Sequence, residues 1–138
     1  HERELQHEAN SIRVAIKSEL DSNKNAYELR ITQFNEPTDY TNALIQTKLI
    51  DNIYKELIPK IGLLSQEEVE IIIDTYSLLS EVPYRIRILV GTDNVGGFNN
   101  EFMRVSEDRI DTVKILHIKV LPKIESAINA LDKHHVSA

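Results

Sequence analysis

The stretch Ile61-Gly62-Leu63-Leu64-Ser65-Gln66-Glu67-Glu68-Val69 constrains this chain more than any other, because it holds a helix stop and a helix start within a few residues. Gly62 follows the apolar residues Leu57, Ile58 and Ile61, where a helix end takes a left-handed residue and glycine does so without a Cβ clash. Ser65 is the predicted N-cap, its hydroxyl able to accept from an amide of the next turn. Glu68, three residues on, completes an S-x-x-E capping box, and Leu64 with Val69 occupy the two positions of a hydrophobic staple. Apolar residues on both sides then predict an antiparallel helical hairpin, and the chain a helical bundle.

Composition agrees with that reading. A chain of 138 residues, 41% hydrophobic and 28% charged, suits one domain spanning 1–138 with a sizeable core. It has few glycines and prolines and no tryptophan. The net charge of −6, with basic residues scattered among acids, argues against a nucleic-acid surface. The absence of cysteine excludes disulfides, thiolate metal sites and a cysteine nucleophile. No apolar run is long enough for a membrane span, and no signal peptide is visible. The chain begins at His1 and enters a helical pattern almost at once, so a soluble piece of a longer chain is expected.

Four helices are predicted. Leu5, Ala9, Ile12, Ile16, Leu20, Tyr27, Ile31 and Phe34 follow steps of three and four, interrupted at Asn23, and predict a first helix from His1 to Phe34. The polar patch Asp21–Asn25 is its weak point, but a continuous helix is the first choice. Glu36-Pro37 ends it. A second helix, with a cap among Thr38–Thr41, carries Ile50, Ile53, Leu57 and Ile61 on one side, and Pro59 perturbs its last turn. The third shows Val69, Ile72, Tyr76, Leu79, Pro83, Ile86 and Val90, with a kink or short break expected near Ser80–Val82. A long loop, Gly91–Val105, precedes a second start signal, in which Ser106 is the cap and Val105 with Ile110 the staple. The fourth helix runs through Val113, His117, Val120, Ile124, Ala127 and Leu131. The expected fold is an all-α, antiparallel up-down four-helix bundle with a long loop between helices 3 and 4. Strands are poorly supported, since Ile71–Ile73 and Arg85–Val90 are embedded in helical periodicity.

No motif assembles a reaction. His117 is the most informative single residue. A phosphoacceptor histidine on a four-helix bundle is followed by an acid, a base and, five positions on, a proline. Pro122 fits, Ile118 replaces the acid and Lys119 stands one step early, while a histidine on an apolar stripe is more often a packed core residue. Glu4-Leu5-Gln6-His7 matches half of a di-metal carboxylate pattern but has no counterpart, and His134-His135 reads as a solvated helix end. Gly91 and Gly96 have phosphate-loop spacing without the required Lys and Ser/Thr. Read as a calcium loop from Asp93, the stretch lacks its closing acid. Asn23 is either a buried residue that sets register or an exposed one at a kink. Catalytic, cofactor-binding and metal-ligating residues are therefore all unassigned. The candidate working surface is His117 with Phe98, Phe102 and Met103 of the long loop, whose commoner role would be to cover the bundle end.

The segment from Ile53 to Val69, with Asp74-Thr75-Tyr76-Ser77-Leu78-Leu79, resembles a recurring pattern of uncharacterised bacterial membrane-anchored helical proteins. In that pattern a single N-terminal span is followed by a charged helix, a "Tyr…Leu-Gly-Leu-Leu" corner and a helix with "Tyr-x-Leu-Leu". The resemblance covers about a third of the chain and transfers no catalytic residue. Pro59 and the Gly91–Gly97 loop depart from it. It implies a non-enzymatic interaction or scaffold domain, membrane-associated through a segment upstream of His1, with a protein or small-molecule partner and room for homo-oligomers. The alternative is a ligand-sensing four-helix bundle of a transmembrane receptor.

Overall fold

The computed structural model describes residues 1–36, 42–90 and 102–136. Three long helices dominate: α1 (Glu2–Asn35), α3 (Gln66–Val90) and α4 (Ile110–His134). Between α1 and α3 the chain descends through strand β1 (Asn42–Gln46), the short helix α2 (Asn52–Leu57) and a 3₁₀ stretch, Ile58–Leu63. Strand β2 (Phe102–Ser106) and a 3₁₀ turn, Glu107–Arg109, lead into α4. The fold is an all-α four-helix arrangement with one small two-stranded sheet.

Cross-links between elements set the directions. Lys17–Asp132, Lys24–Glu125 and Arg30–His117 contacts climb α1 while descending α4, so these two helices are antiparallel. Arg13–Glu68 and Glu19–Tyr76 rise together on α1 and α3, which are therefore parallel. Ile50, Tyr54 and Lys60 meet Asn23, Glu19 and Glu8 in turn, so the α2 limb runs down against α1. The order is up, down, up, down.

Helix α1 is continuous through Asp21–Asn25, as expected. Asn23 supplies the reason: it is buried, and its amide donates to the Glu19 carbonyl at 3.0 Å and to the Ile50 carbonyl at 2.8 Å. The helix spans about 50 Å at 1.5 Å per residue, and residues 1–7, Leu5 included, are exposed. It stops where expected, with Glu36 in an extended conformation before the proline. The expected caps at Thr38–Thr41 lie outside the described residues.

The second helix is the main departure. Its expected first half contains β1, and only Asn52–Leu57 is α-helical. Asp51, at the N-cap position, makes no side-chain cap. The cap comes from α1: the Glu19 carboxylate accepts from Ile53 N at 2.6 Å and Tyr54 N at 3.0 Å. Pro59 stands in the first turn of the 3₁₀ stretch, where a missing N–H is tolerated. Gly62 also differs from expectation. It lies inside that 3₁₀ stretch without a positive φ, and a Cβ there would meet open space.

The rest of the corner forms as read. Glu68 N donates to Ser65 Oγ at 3.2 Å and Ser65 N to Glu68 Oε1 at 3.0 Å, the reciprocal pair of a capping box. Helix α3 runs unbroken across Pro83, so of the expected kink or short break the break does not occur. At the second start signal the chain first makes the 3₁₀ turn, and Ser106 Oγ donates to Asp108 Oδ1 at 2.6 Å instead of capping a backbone amide. Val105, the inner half of that staple, is fully buried.

The sheet pairs β1 with β2 antiparallel, setting Leu44 opposite Arg104, Ile45 opposite Met103 and Gln46 opposite Phe102. Ile45, Met103 and Val105 turn into the core while Leu44 and Phe102 face out. The alternation is that of a strand with one buried face. The ribbon lies at the end of the bundle where α1 and α3 finish and α4 begins.

Candidate functional site

The polar residues that matter most project inward from α1. Apolar stripes on three helices make one core, in which Ile16, Leu20, Ile72, Ile86 and Ile124 are essentially without solvent contact. Burying a charge in such surroundings is costly unless it is paired and hydrogen-bonded. Yet Arg13, Glu19, Arg30 and Glu68 are all buried there.

At the lower end, Glu68 is fully buried and binds Arg13 through two parallel bonds, Nε to Oε2 at 2.8 Å and Nη2 to Oε1 at 2.9 Å. The planar guanidinium matches a carboxylate in this two-bonded geometry. The same Oε1 accepts the Ser65 amide, so one carboxylate serves both the capping box and the ion pair. Burial alone would push the Glu68 carboxyl up, but the bonds from Arg13 and Ser65 outweigh it and hold the group below its ordinary value. Arg13 Nη1 also donates to Asn10 Oδ1 at 2.9 Å, and Asn10 exchanges two bonds with the Val136 backbone. The chain thus ties α1, α3 and the segment after α4 together.

One level up, Glu19 is 3% exposed and takes three donors: Ile53 N, Tyr54 N and the Tyr76 hydroxyl at 2.7 Å. Burial, with the Glu19 carboxylate beside it, raises Tyr76 far above the usual phenol value. Tyr54 stacks flat on Tyr76, ring centroids 4.0 Å apart.

At the upper level stands His117, fully buried on α4. Its Nδ1–H donates to the Val113 carbonyl at 2.8 Å, leaving Nε2 as acceptor for Arg30 Nη1 at 3.4 Å. Tyr27 and Phe34 pack around the ring at 4.9 and 5.5 Å. Burial, with the Arg30 charge adding to it, pushes the imidazole down to about 4 against the opposing Val113 bond. The imidazole is therefore neutral at pH 7. No edge of the ring reaches solvent, so a phosphodonor has no approach to it.

The candidate surface residues are not brought together. His117 and Met103 are buried, Phe102 is exposed on the outer face of β2, and Phe98 lies outside the described residues, as do Gly91, Asp93 and Gly96. Two buried members of four cannot form an exposed surface. Glu4 and His7 are exposed, and among the described residues no three His, Asp or Glu side chains converge as a metal site. His134 Nε2 meets Glu67 Oε2 at 2.9 Å instead of a ligand. A groove of about 380 Å³ between α1 and α4 is lined by Arg13, Lys17, Asp132 and His135 among others. Its one close polar pair is the exposed Lys17–Asp132 bridge at 2.8 Å.

The residues missed by sequence reasoning are Arg13, Glu19 and Arg30. Arg30 carried a readable signal, since Asn23, Tyr27, Arg30 and Phe34 also follow steps of four, three and four. Arg13 and Glu19 carried the same signal, since Ala9, Arg13, Ile16, Glu19 and Asn23 follow steps of four, three, three and four. No helix among the described residues is long and apolar enough to cross a membrane. Comparison with protein-family models, with curated proteins and with solved structures finds no match.

Proposed function

We propose that this chain is a non-enzymatic helical interaction or scaffold domain, carried on a membrane anchor encoded upstream, with α1 as the stalk between the two. The observation that carries the non-enzymatic part is where the reactive side chains go. Glu68, Glu19 and His117 are each bound within the bundle, Glu68 by Arg13 and the Ser65 amide, Glu19 by the start of α2 and the Tyr76 hydroxyl, and His117 by Arg30 and the Val113 carbonyl. Acid–base or nucleophilic chemistry needs such groups within reach of a substrate. Here they hold helices in register. In support of an outward role, Tyr84 and Ile88 stand one turn apart on α3 at 66% and 81% exposure.

The stalk reading rests on the exposed first turns of α1 and on the resemblance to anchored helical proteins. Fractionating cells that express the whole encoded protein tests it. The account expects the protein in the membrane pellet, resistant to alkaline carbonate and released by detergent. Recovery in the soluble fraction would remove the anchor from the proposal.

A ligand-sensing bundle is the second reading, favoured by the groove between α1 and α4, whose size falls in the range of small-molecule sites. Saturable stabilisation by a small molecule, abolished by Lys17→Ala, would favour it.

A further inference from the structure

Opposite its core stripe, α1 turns Ser11, Val14, Ser18, Ser22, Asn25, Leu29 and Thr32 to solvent, all exposed and in steps of three and four. None of them is charged, in a chain that is 28% charged. A solvated helix face of this length ordinarily carries charges. Val14 is 57% exposed and Leu29 63%. The hydroxyls of Ser11, Ser22 and Thr32 donate back to the His7, Ser18 and Glu28 carbonyls of their own helix, at 3.0, 3.2 and 3.0 Å. Covering these residues therefore leaves their protons with acceptors.

The face is its own complement. Ser11 and Thr32, Val14 and Leu29, and Ser18 and Asn25 lie at equal distances on either side of a point between Asp21 and Ser22. Two copies laid antiparallel about that point set hydroxyl against hydroxyl at the ends and Val14 of each against Leu29 of the other. An isologous contact needs a self-complementary patch of this kind. Val14 and Ser18 also line the groove of about 380 Å³ between α1 and α4, a recess that Leu29 of a second copy can enter.

Charge on the flank next to α4 selects the same arrangement. Lys17, Asp21, Lys24 and Glu28 follow there in steps of four, three and four. Antiparallel pairing sets Lys17 opposite Glu28 and Asp21 opposite Lys24, the members of each pair about 3 Å apart along the axis, within reach of long side chains. A parallel pair in register would set each charge against itself. Lys17 and Lys24 already bridge to Asp132 and Glu125 on that flank, at 2.8 and 3.7 Å. A second copy joins this network, which fixes orientation more than it adds affinity.

We propose that this face is a homodimer surface, on which α1 of a second copy lies antiparallel about a two-fold axis beside Asp21 and Ser22, with Leu29 of each copy seated over Val14 of the other. The pairing goes beyond the interaction role proposed above and needs no anchor, because every group in it belongs to the domain. It sends the two starts of α1 in opposite directions, so anchored copies would meet from facing membranes.

The chain has no cysteine, so single introduced cysteines report the register. A disulfide needs Cα atoms within about 7 Å of each other. The two-fold axis grants this to Ser22→Cys and denies it to Ser11→Cys or Thr32→Cys alone, each about 30 Å from its own copy. Under mild oxidation Ser22→Cys should form a disulfide dimer roughly tenfold faster than Ser77→Cys on the exposed side of α3, because pairing raises the effective thiol concentration. Ser11→Cys mixed with Thr32→Cys should cross-link where neither does alone. Leu29→Glu in the Ser22→Cys background should return the rate to that of Ser77→Cys, with the circular dichroism melt unchanged because Leu29 is exposed. Equal rates for Ser22→Cys and Ser77→Cys would overturn the dimer, and ready cross-linking of Ser11→Cys alone would overturn the antiparallel register.

Discussion

Glu68→Gln separates the account of the corner from a reading in which its residues only cap a helix. The glutamine keeps the shape of the side chain and one oxygen for the Ser65 amide, which glutamine can serve in a capping box. It loses the charge and sets an amide N–H₂ against Arg13, two donors facing each other. One of the two bonds at 2.8 and 2.9 Å is then lost outright and the other weakened. Removing one partner of a buried pair costs about 3–5 kcal/mol, because the other charge stays behind uncompensated. The lower end applies here, since Arg13 keeps its bond to Asn10. About 3 kcal/mol corresponds to a fall in Tm of roughly 10 °C for a domain of this size. Arg13→Met with Glu68→Leu removes both charges and should cost only about 1 kcal/mol, the lost half of the capping box. Urea unfolding of the four members of this cycle measures the coupling directly. A Glu68→Gln variant within 1 kcal/mol of wild type, or a double variant as unstable as the sum of the singles, would refute the reasoning. The pH dependence gives a second reading. A carboxyl held below its ordinary value contributes stability that is present above about pH 4.5 and lost as the pH falls through its folded value. Glu68→Gln should lose that acid sensitivity.

The corner and the imidazole make further predictions. Ser65→Ala removes the acceptor of the Glu68 amide and should cost about 1 kcal/mol. Gly62→Ala should instead raise stability by about 0.4–1 kcal/mol in the same denaturation assay, because no left-handed conformation and no neighbour oppose a methyl group there. A left-handed Gly62 would give the opposite sign. His117, pushed down to about 4 by burial, binds fewer protons folded than unfolded between that value and about 6.5. Stability should therefore fall by about 3 kcal/mol as the pH drops through this window, and His117→Leu should flatten the slope. An NMR titration of the imidazole with a midpoint above pH 6 would contradict the burial.

Most of the architecture was legible because it rests on local signals. The steps of three and four on α1, α3 and α4 reported which faces meet, and the Ser65–Glu68 box marked where α3 begins. The α2 limb was misread for a physical reason. Its helix start is supplied by Glu19, over thirty residues away on α1, and its upper half is held extended by pairing with β2 across some sixty residues. Neither partner is visible in the local pattern. The strand pair did carry alternation at Met103 and Val105, but five residues next to a glycine-rich loop are too few to announce a strand. The buried charges were harder still. Arg13 lies on the buried face by its spacing from Ala9 and Ile16, but the Glu68 that meets it comes from α3, beyond any local pattern. His117 was read as lying on an apolar stripe, where a packed core residue is the commoner case, yet it was also the first candidate for a working surface, which its burial rules out; what the sequence could not show was Arg30 at its Nε2.

The central claim is that this domain works through its surface while its polar core is committed to structure. Site-specific photo-crosslinking in the cells that make it tests this most directly, with the reactive residue placed at Ile88 and, for comparison, at the exposed polar positions Asp74 and Ser77 of the same helix. The account predicts a discrete adduct from Ile88 and none above background from the other two. Equal background at all three positions would contradict it.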